Sequence, residues 1–232
     1  CYIRAHMYYL LVQFFCEDYE PATAGDVYGV PVVTVYAPTP DASKYPSRGS
    51  LAKTYAQIVA DLTEAETYVT APGQPNSIFV TADVVAALQA RVALSMHDYS
   101  TAFNKAKGLI DSGRYPLESD RTAYAEAWLR DNLCETLWQP VMTGPDDTGN
   151  SFPYFINNAT GREGEDNPQY VPEDWALKLY DKTNDIRYDA YFSERELRMP
   201  VTGRLTLLVK YPGNPQLYTQ TTNYVNQPKV FR

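Results

Sequence analysis

Four aromatic side chains, Tyr28, Tyr36, Tyr154 and Phe155, lie in stretches dense in Pro, Gly, Asn and Asp. Such stretches form turns and loops, and loops on a rigid scaffold are where binding residues concentrate. A tyrosine ring has a flat apolar face and a hydroxyl that tolerates water. Rings of this kind suit polar, ring-shaped ligands, and Asn157, Asn158 and Asp166 in the same stretch can bond ligand hydroxyls. The competing reading is that these rings pin long loops to the scaffold, because burying a ring is strongly favourable. The surplus of 20 Tyr, with 8 Phe and 3 Trp, fits either.

Residues for covalent or metal chemistry are sparse. The sequence contains no G-x-x-x-x-G-K-[ST], G-x-G-x-x-G, H-E-x-x-H or G-x-S-x-G. Its two histidines, His6 and His97, sit in an apolar helix-like run and in a tight turn, so neither a metal site nor a histidine relay is expected. Acidic groups at Asp146-Asp147 and at Glu163, Glu165 and Asp166 could bind calcium, but without an EF-hand spacing they read as solvated loop charge. Some carboxylate pair always lies at a hydrolytic spacing among 28 acids, so pairing alone gives no support for glycoside hydrolysis. Asn158-Ala159-Thr160 is a glycosylation sequon, meaningful only in a eukaryotic secretory setting. No cofactor is implied.

A chain of 232 residues buries a core without a disulfide or metal staple. The excess of 28 acidic over 20 basic residues, a net charge of −8, makes nucleic acid and anionic membrane surfaces poor primary partners. The apolar runs are too short to cross a bilayer, and no secretory signal is visible. Cys1 and Cys16 lie in an apolar helix-like run, where free thiols are expected buried.

The elements that must position the loop rings are mostly helical. Residues 2–15 form an apolar run, hydrophobic nearly all round and therefore expected buried, with Tyr9 in the core. A proline-rich connection, 17–47, carries Tyr19, Tyr28 and Tyr36. Ser50 caps a helix whose apolar positions Leu51, Tyr55, Ile58, Val59 and Leu62 follow helical spacing. Thr81 caps the next, an alanine-rich helix through Val84, Val85, Leu88 and Val92. Met96-His97-Asp98 turns into a fourth helix that ends near Gly113. The antiparallel pair at 81–112, with small residues facing each other, matches a tetratricopeptide unit. A short helix is expected over 121–131, residues 140–172 read as loop, and 200–232 as extended. A helix starting at Pro172-Glu173 is expected to turn Trp175, Leu179 and Tyr180 inward.

Six stretches in series resemble the SusD-like (RagB/SusD) family. Arg4-Ala5-His6-Met7-Tyr8-Tyr9-Leu10-Leu11-Val12-Gln13-Phe14-Phe15 is similar to its "RA-x-x-Y-x-x-L-V-x-x-F-G" helix, with Cys16 in place of the glycine. Tyr28-Gly29-Val30-Pro31 is similar to "G-[IV]-P". Arg48 followed by Tyr55, Ile58, Asp61, Leu62 and Ala65 resembles "R-x-x-x-x-x-x-Y-x-x-I-x-x-D-L-x-x-A". Ala86 to Met96 resembles "A-x-x-A-L-L-A-R-V-A-L-Y-M". Asp185, Arg187 and Phe192 resemble "D-x-R-x-x-x-x-F". Pro228-Lys229-Val230-Phe231-Arg232 resembles the strand before "L-A-E". The family's lipid-bearing cysteine segment and its C-terminal helices are absent from the sequence, and Cys1 is not that cysteine.

The resemblance implies a mostly α fold, with tetratricopeptide-like hairpins supporting an irregular, loop-rich region. It implies one domain over 1–232, incomplete at both ends, with a scaffold at about 1–16 and 48–131 and loops at about 132–232. It further implies a non-catalytic, lipid-anchored outer-membrane protein of Bacteroidota, facing outward. Such a protein captures glycan or other nutrient oligomers for a SusC-like TonB-dependent transporter. A peptide-binding lid protein, an all-helical glycoside hydrolase and a tetratricopeptide interaction scaffold remain as alternatives. The matched motifs transfer no ligand-contacting residue, so Tyr28, Tyr36, Tyr154, Phe155, Asn157, Asn158 and Asp166 are candidates from loop placement alone.

Overall fold

The computed structural model describes residues 1–141, 168, 170–197, 203–210 and 230–231. Helices dominate them. In order, the elements are α1 (Tyr2–Phe15), α2 (Leu51–Tyr68), α3 (Ala82–Ser95), α4 (Tyr99–Asp111), α5 (Arg121–Leu129), β1 (Thr136–Trp138), α6 (Asp174–Leu177), α7 (Arg187–Tyr191), β2 (Phe192–Leu197), β3 (Gly203–Leu208) and β4 (Val230–Phe231). The chain divides into two compact units. One comprises Cys1–Gln74 with Val80–Arg114; the other comprises Pro75–Phe79 with Tyr115–Phe231.

The first unit is a helical stack. α3 and α4 form the antiparallel hairpin that the apolar spacing predicts, with α1 against α2 and α2 against α3. Its core combines the aliphatic side chains Val12, Leu51, Ile58, Leu62, Val84, Val85 and Val92 with the rings of Tyr2, Tyr8, Tyr9 and Tyr55. The caps follow local chemistry. The Ser50 hydroxyl accepts from the Lys53 N–H at 3.3 Å, and the Asp98 carboxylate from the Thr101 N–H at 3.1 Å, each satisfying an orphan donor of a first turn. Thr81 stands at the N-cap of α3 but makes no side-chain cap bond. His97 takes up the left-handed conformation between the hairpin helices, with φ 62°.

α1 departs from expectation. Tyr2, Ala5, Tyr8, Tyr9 and Val12 are buried, Tyr9 as expected, whereas Ile3, Met7, Leu11, Phe14 and Phe15 are exposed. A helix apolar all round has two faces to cover, and α2 and α3 meet only one. Cys1 is exposed, and Cys16 and Cys134 are half-buried, so the expected burial of Cys1 and Cys16 does not hold. Both flank α1 at its ends, where packing stops.

The second unit is held by rings. Tyr124 and Trp128 of α5 are buried with Leu133 and Ala190, and Tyr191 packs against them. Tyr188 and Phe192 are buried in the same unit. β2 and β3 pair antiparallel from Phe192 opposite Leu208 to Leu197 opposite Gly203, and β1 pairs antiparallel with β4. α6 is only four residues long. Trp175 is 68% exposed and Leu179 is 74% exposed, which corrects their inward assignment. A helix of barely one turn has no stripe with which to bury a ring, whatever the spacing of its apolar residues.

Candidate functional site

The described candidate rings lie on one loop of the first unit, between α1 and α2. Its ends are tied together. Tyr28 and Ser50 form an isolated antiparallel bridge, and the Gly29 N–H donates to the Gly49 carbonyl at 2.8 Å. Gly29 is required by close approach: a Cβ there would collide with the Thr54 hydroxyl and lie 2.6 Å from the Ser50 carbonyl oxygen. The preceding turn docks on the start of α2, where the Leu51 and Ala52 N–H groups donate to the Val27 and Ala24 carbonyls.

From Tyr28 to Thr34 the chain is extended, and side chains of the helical stack hold its backbone. The Arg48 guanidinium donates from Nε to the Gly29 carbonyl at 2.6 Å. Its Nη2 donates to the Phe15 carbonyl at 3.0 Å and the Tyr28 carbonyl at 3.4 Å. A cation on a carbonyl of the last turn also complements the negative end of α1. The Thr54 hydroxyl accepts from the Val30 N–H at 3.2 Å. The Tyr8 hydroxyl accepts from the Val33 N–H at 2.5 Å and donates to the Val33 carbonyl at 3.0 Å. The Arg4 Nη1 donates to the Thr34 carbonyl at 3.3 Å.

Tyr28 is 70% exposed and Tyr36 is 90% exposed. Arg48 lies 5.6 Å from the Tyr28 ring centroid, within cation–π range, so the ring is supported while it remains open to solvent. Tyr19, earlier on the same connection, behaves differently: its ring meets Tyr55 edge-on at 4.7 Å and pins the loop to α2. Tyr45, which loop placement had not singled out, is 59% exposed on the same loop as Tyr36. It was readable as a ring between Pro40 and Pro46. Arg48 was readable only as a motif residue, since its contact with Tyr28 spans 20 positions. Tyr154, Phe155, Asn157, Asn158 and Asp166 lie outside the described residues, as do both acidic clusters and the sequon.

Two carboxylates of the helical unit are buried and paired. Asp61 on α2 accepts from Arg4 Nε at 2.7 Å and Nη2 at 2.5 Å, and from Gln57 Nε2 at 2.9 Å. Burial raises its pKa, but the hydrogen bonds from Arg4 and Gln57 and the Arg4 charge outweigh it and hold the carboxyl below its ordinary value. Asp83 on α3 accepts two bonds from Arg114, both at 2.7 Å, and one from the Gly73 N–H at 3.1 Å. Each is an ion pair in fork geometry, which suits a structural carboxylate better than a proton-transfer group. Burial and the Arg91 charge lower the pKa of His6. Among the described residues, no group of three or more His, Cys, Asp or Glu could hold a metal ion.

A second concave surface of about 550 Å³ lies between α3 and α4, lined by Ala87, Leu94, Tyr99, Phe103, Ala106 and Ile110, with Arg91 at its edge. Its lining is almost wholly hydrocarbon. A sugar placed there would leave hydroxyls without partners, which is costly.

Residues 1–94 match the model of a SusD-like family described as starch-binding and associating with the outer membrane. The fold extends the likeness over the whole chain. A SusD superfamily protein from Bacteroides thetaiotaomicron superposes on 97% of the chain, with 22% identity and a TM-score of 0.69. Beyond residues 1–94 the likeness to that family is one of fold. A SusD-like carbohydrate binding protein from Bacteroides vulgatus covers 99% of it at 17% identity and a TM-score of 0.70, with 46% of that protein matched. Surface glycan-binding protein A from Bacteroides uniformis covers 99% at 19% identity and a TM-score of 0.67, with 50% of that protein matched. The chain thus spans about half the length of these solved structures. No curated protein matches it.

Proposed function

We propose that these residues belong to a non-catalytic, lipid-anchored protein on the outward face of the outer membrane. It captures glycan oligomers with loop aromatics and passes them to a SusC-like TonB-dependent transporter. The observation that carries the binding reading is the loop at 28–36. Its backbone is held by side chains from α1, α2 and Arg48, while the Tyr28 and Tyr36 rings stay in solvent. Rigid aromatic faces beside water-tolerant hydroxyls are the chemistry that stacks on sugar rings and bonds their edges. The glycan class draws support from the family's description and from the carbohydrate-binding relatives that share the fold. Tyr154, Phe155, Asn157, Asn158 and Asp166 are proposed as further ligand contacts. Membrane attachment through lipid fits a chain in which, among the described residues, no helix is long and apolar enough to cross a bilayer.

The test is calorimetric titration of the full-length protein with malto-, xylo- and manno-oligosaccharides and with an oligopeptide set, followed by chromatography of the recovered ligand. Saturable binding of an intact oligosaccharide is expected. Binding of peptides alone, or recovery of shortened sugars, overturns the reading.

A further inference from the structure

We propose that Arg4, anchored by buried Asp61, is the positioning residue for the ring-bearing arch at 35–47. The inference rests on the reading of Tyr28 and Tyr36 as binding rings. The motif residues Arg4, Tyr8, Arg48 and Asp61 are not ligand groups in that reading; three of them bond the strap at 28–34 directly, and Asp61 acts through Arg4.

The geometry distinguishes Arg4 from the rest. The Arg48, Thr54 and Tyr8 bonds hold residues 28–33. Arg4 holds Thr34, the last position of the strap, through Nη1. Past Thr34, among the described residues, the hydrogen bonds of the arch are local. The Asp41 carboxylate accepts from the Ser43 N–H at 3.0 Å and its hydroxyl at 2.7 Å, Thr39 accepts from the Asp41 N–H, and a single 3-10 turn covers Ala42–Lys44. The scaffold grips the chain again at Arg48. The direction in which the arch leaves the helices is therefore set at Thr34, two residues before Tyr36.

Arg4 can fix that point because its own position is fixed. Nε and Nη2 are both taken by Asp61, whose side chain is 1% exposed, and Gln57 bonds the same carboxylate. A planar fork held at two nitrogens leaves the third pointing one way. A lysine at this place keeps charge against Asp61 but cannot hold Asp61 and Thr34 in one rigid geometry. The link runs from buried carboxylate to guanidinium to loop carbonyl, across sequence separations of 57 and 30.

The experiment uses the full-length protein with Arg4→Lys, Arg4→Met and Tyr36→Ala. Three quantities are measured: the thermal midpoint, amide hydrogen exchange over 32–40, and affinity for the oligosaccharides above. Arg4→Lys is expected to keep its thermal midpoint close to the parent's. It should also speed exchange of the Val33 N–H, which donates to the Tyr8 hydroxyl one residue before Thr34, by roughly tenfold, the size of one charge-assisted hydrogen bond, and weaken oligosaccharide binding. Arg4→Met is expected to do the same with a lowered midpoint. Tyr36→Ala is expected to weaken binding with exchange unchanged. Stable Arg4→Lys protein with unchanged exchange of the Val33 N–H overturns the proposal, as does faster exchange with unchanged affinity while Tyr36→Ala loses affinity. If no oligosaccharide binds even the parent protein, the glycan reading fails by itself, and exchange alone decides whether Arg4 sets the arch.

Discussion

The two units solve the problem of an interior differently. The helical unit packs aliphatic side chains with the scattered rings of Tyr2, Tyr8, Tyr9 and Tyr55, and holds two buried carboxylates, Asp61 and Asp83, each gripped by one arginine fork. The second unit packs rings. Tyr124 meets Trp128 at 6.4 Å and Tyr191 at 6.2 Å, Phe192 meets Tyr180 at 5.1 Å and Tyr188 at 5.3 Å, and the Tyr124 and Tyr191 hydroxyls share a 2.8 Å hydrogen bond. Cations lie over the edge of this cluster, with Lys210 4.5 Å from the Tyr191 ring and Arg187 5.4 Å from Tyr180. Two buried forks mark the first unit and one cluster of ring contacts marks the second, so different perturbations should damage them.

The largest effect is expected in the ring cluster. Trp128, 3% exposed, should cost roughly 3–5 kcal/mol when replaced by Ala. Trp175, 68% exposed, should stay within about 0.5 kcal/mol. Urea unfolding of both variants measures the contrast, and equal losses would contradict the assignment of Trp175 to the surface.

A smaller loss is expected in the helical unit. Arg114→Met leaves the Asp83 carboxylate, whose side chain is 8% exposed, with only the Gly73 N–H among the partners described above, and should cost about 2 kcal/mol. The same denaturation series reads this loss, and no loss would mean that the fork contributes nothing net.

The pH response should report on the Asp61 pairing. The folded pKa of Asp61 lies below its ordinary 3.8. Its pairing therefore contributes stability in full above that ordinary value and loses it as pH falls through the folded pKa. Between neutral pH and about 5 the contribution is flat. Acid titration of the thermal midpoint should show a steeper fall below about pH 4 for the parent than for Asp61→Asn. Parallel curves would contradict the pairing.

Much of this organisation was legible in the residues. Helices α2 to α4 announce themselves by apolar spacing and by Ser50 and Asp98, because their stability is local in sequence. The failures share a cause. Trp175 looked inward because spacing was read over a window longer than the four residues that fold as α6. The outer face of α1 looked buried because composition does not say how many faces a neighbour covers. The strap at 28–34 has no periodicity at all: residues 19 to 30 positions away place it through single side-chain bonds. Apart from that of Thr54, those bonds come from positions that carry the family resemblance: Arg4, Tyr8 and Arg48. The motif residues Asp185, Arg187 and Phe192 behave alike, as an ion pair at 2.7 Å and a buried ring. They hold backbone and core, which is why they could reveal the fold without revealing the ligand.

The central claim is that rings held in solvent by the clamped loop bind a glycan. The most direct measurement is calorimetric affinity of full-length Tyr28→Ala and Tyr36→Ala for the oligosaccharide that binds the parent best, with thermal midpoints recorded alongside. Both midpoints should stay within a few tenths of a kcal/mol of the parent in stability, as for exposed side chains. At least one variant should lose about 1–3 kcal/mol of binding, by analogy with aromatic stacking on nucleic-acid bases. Unchanged affinity in both variants would contradict the account.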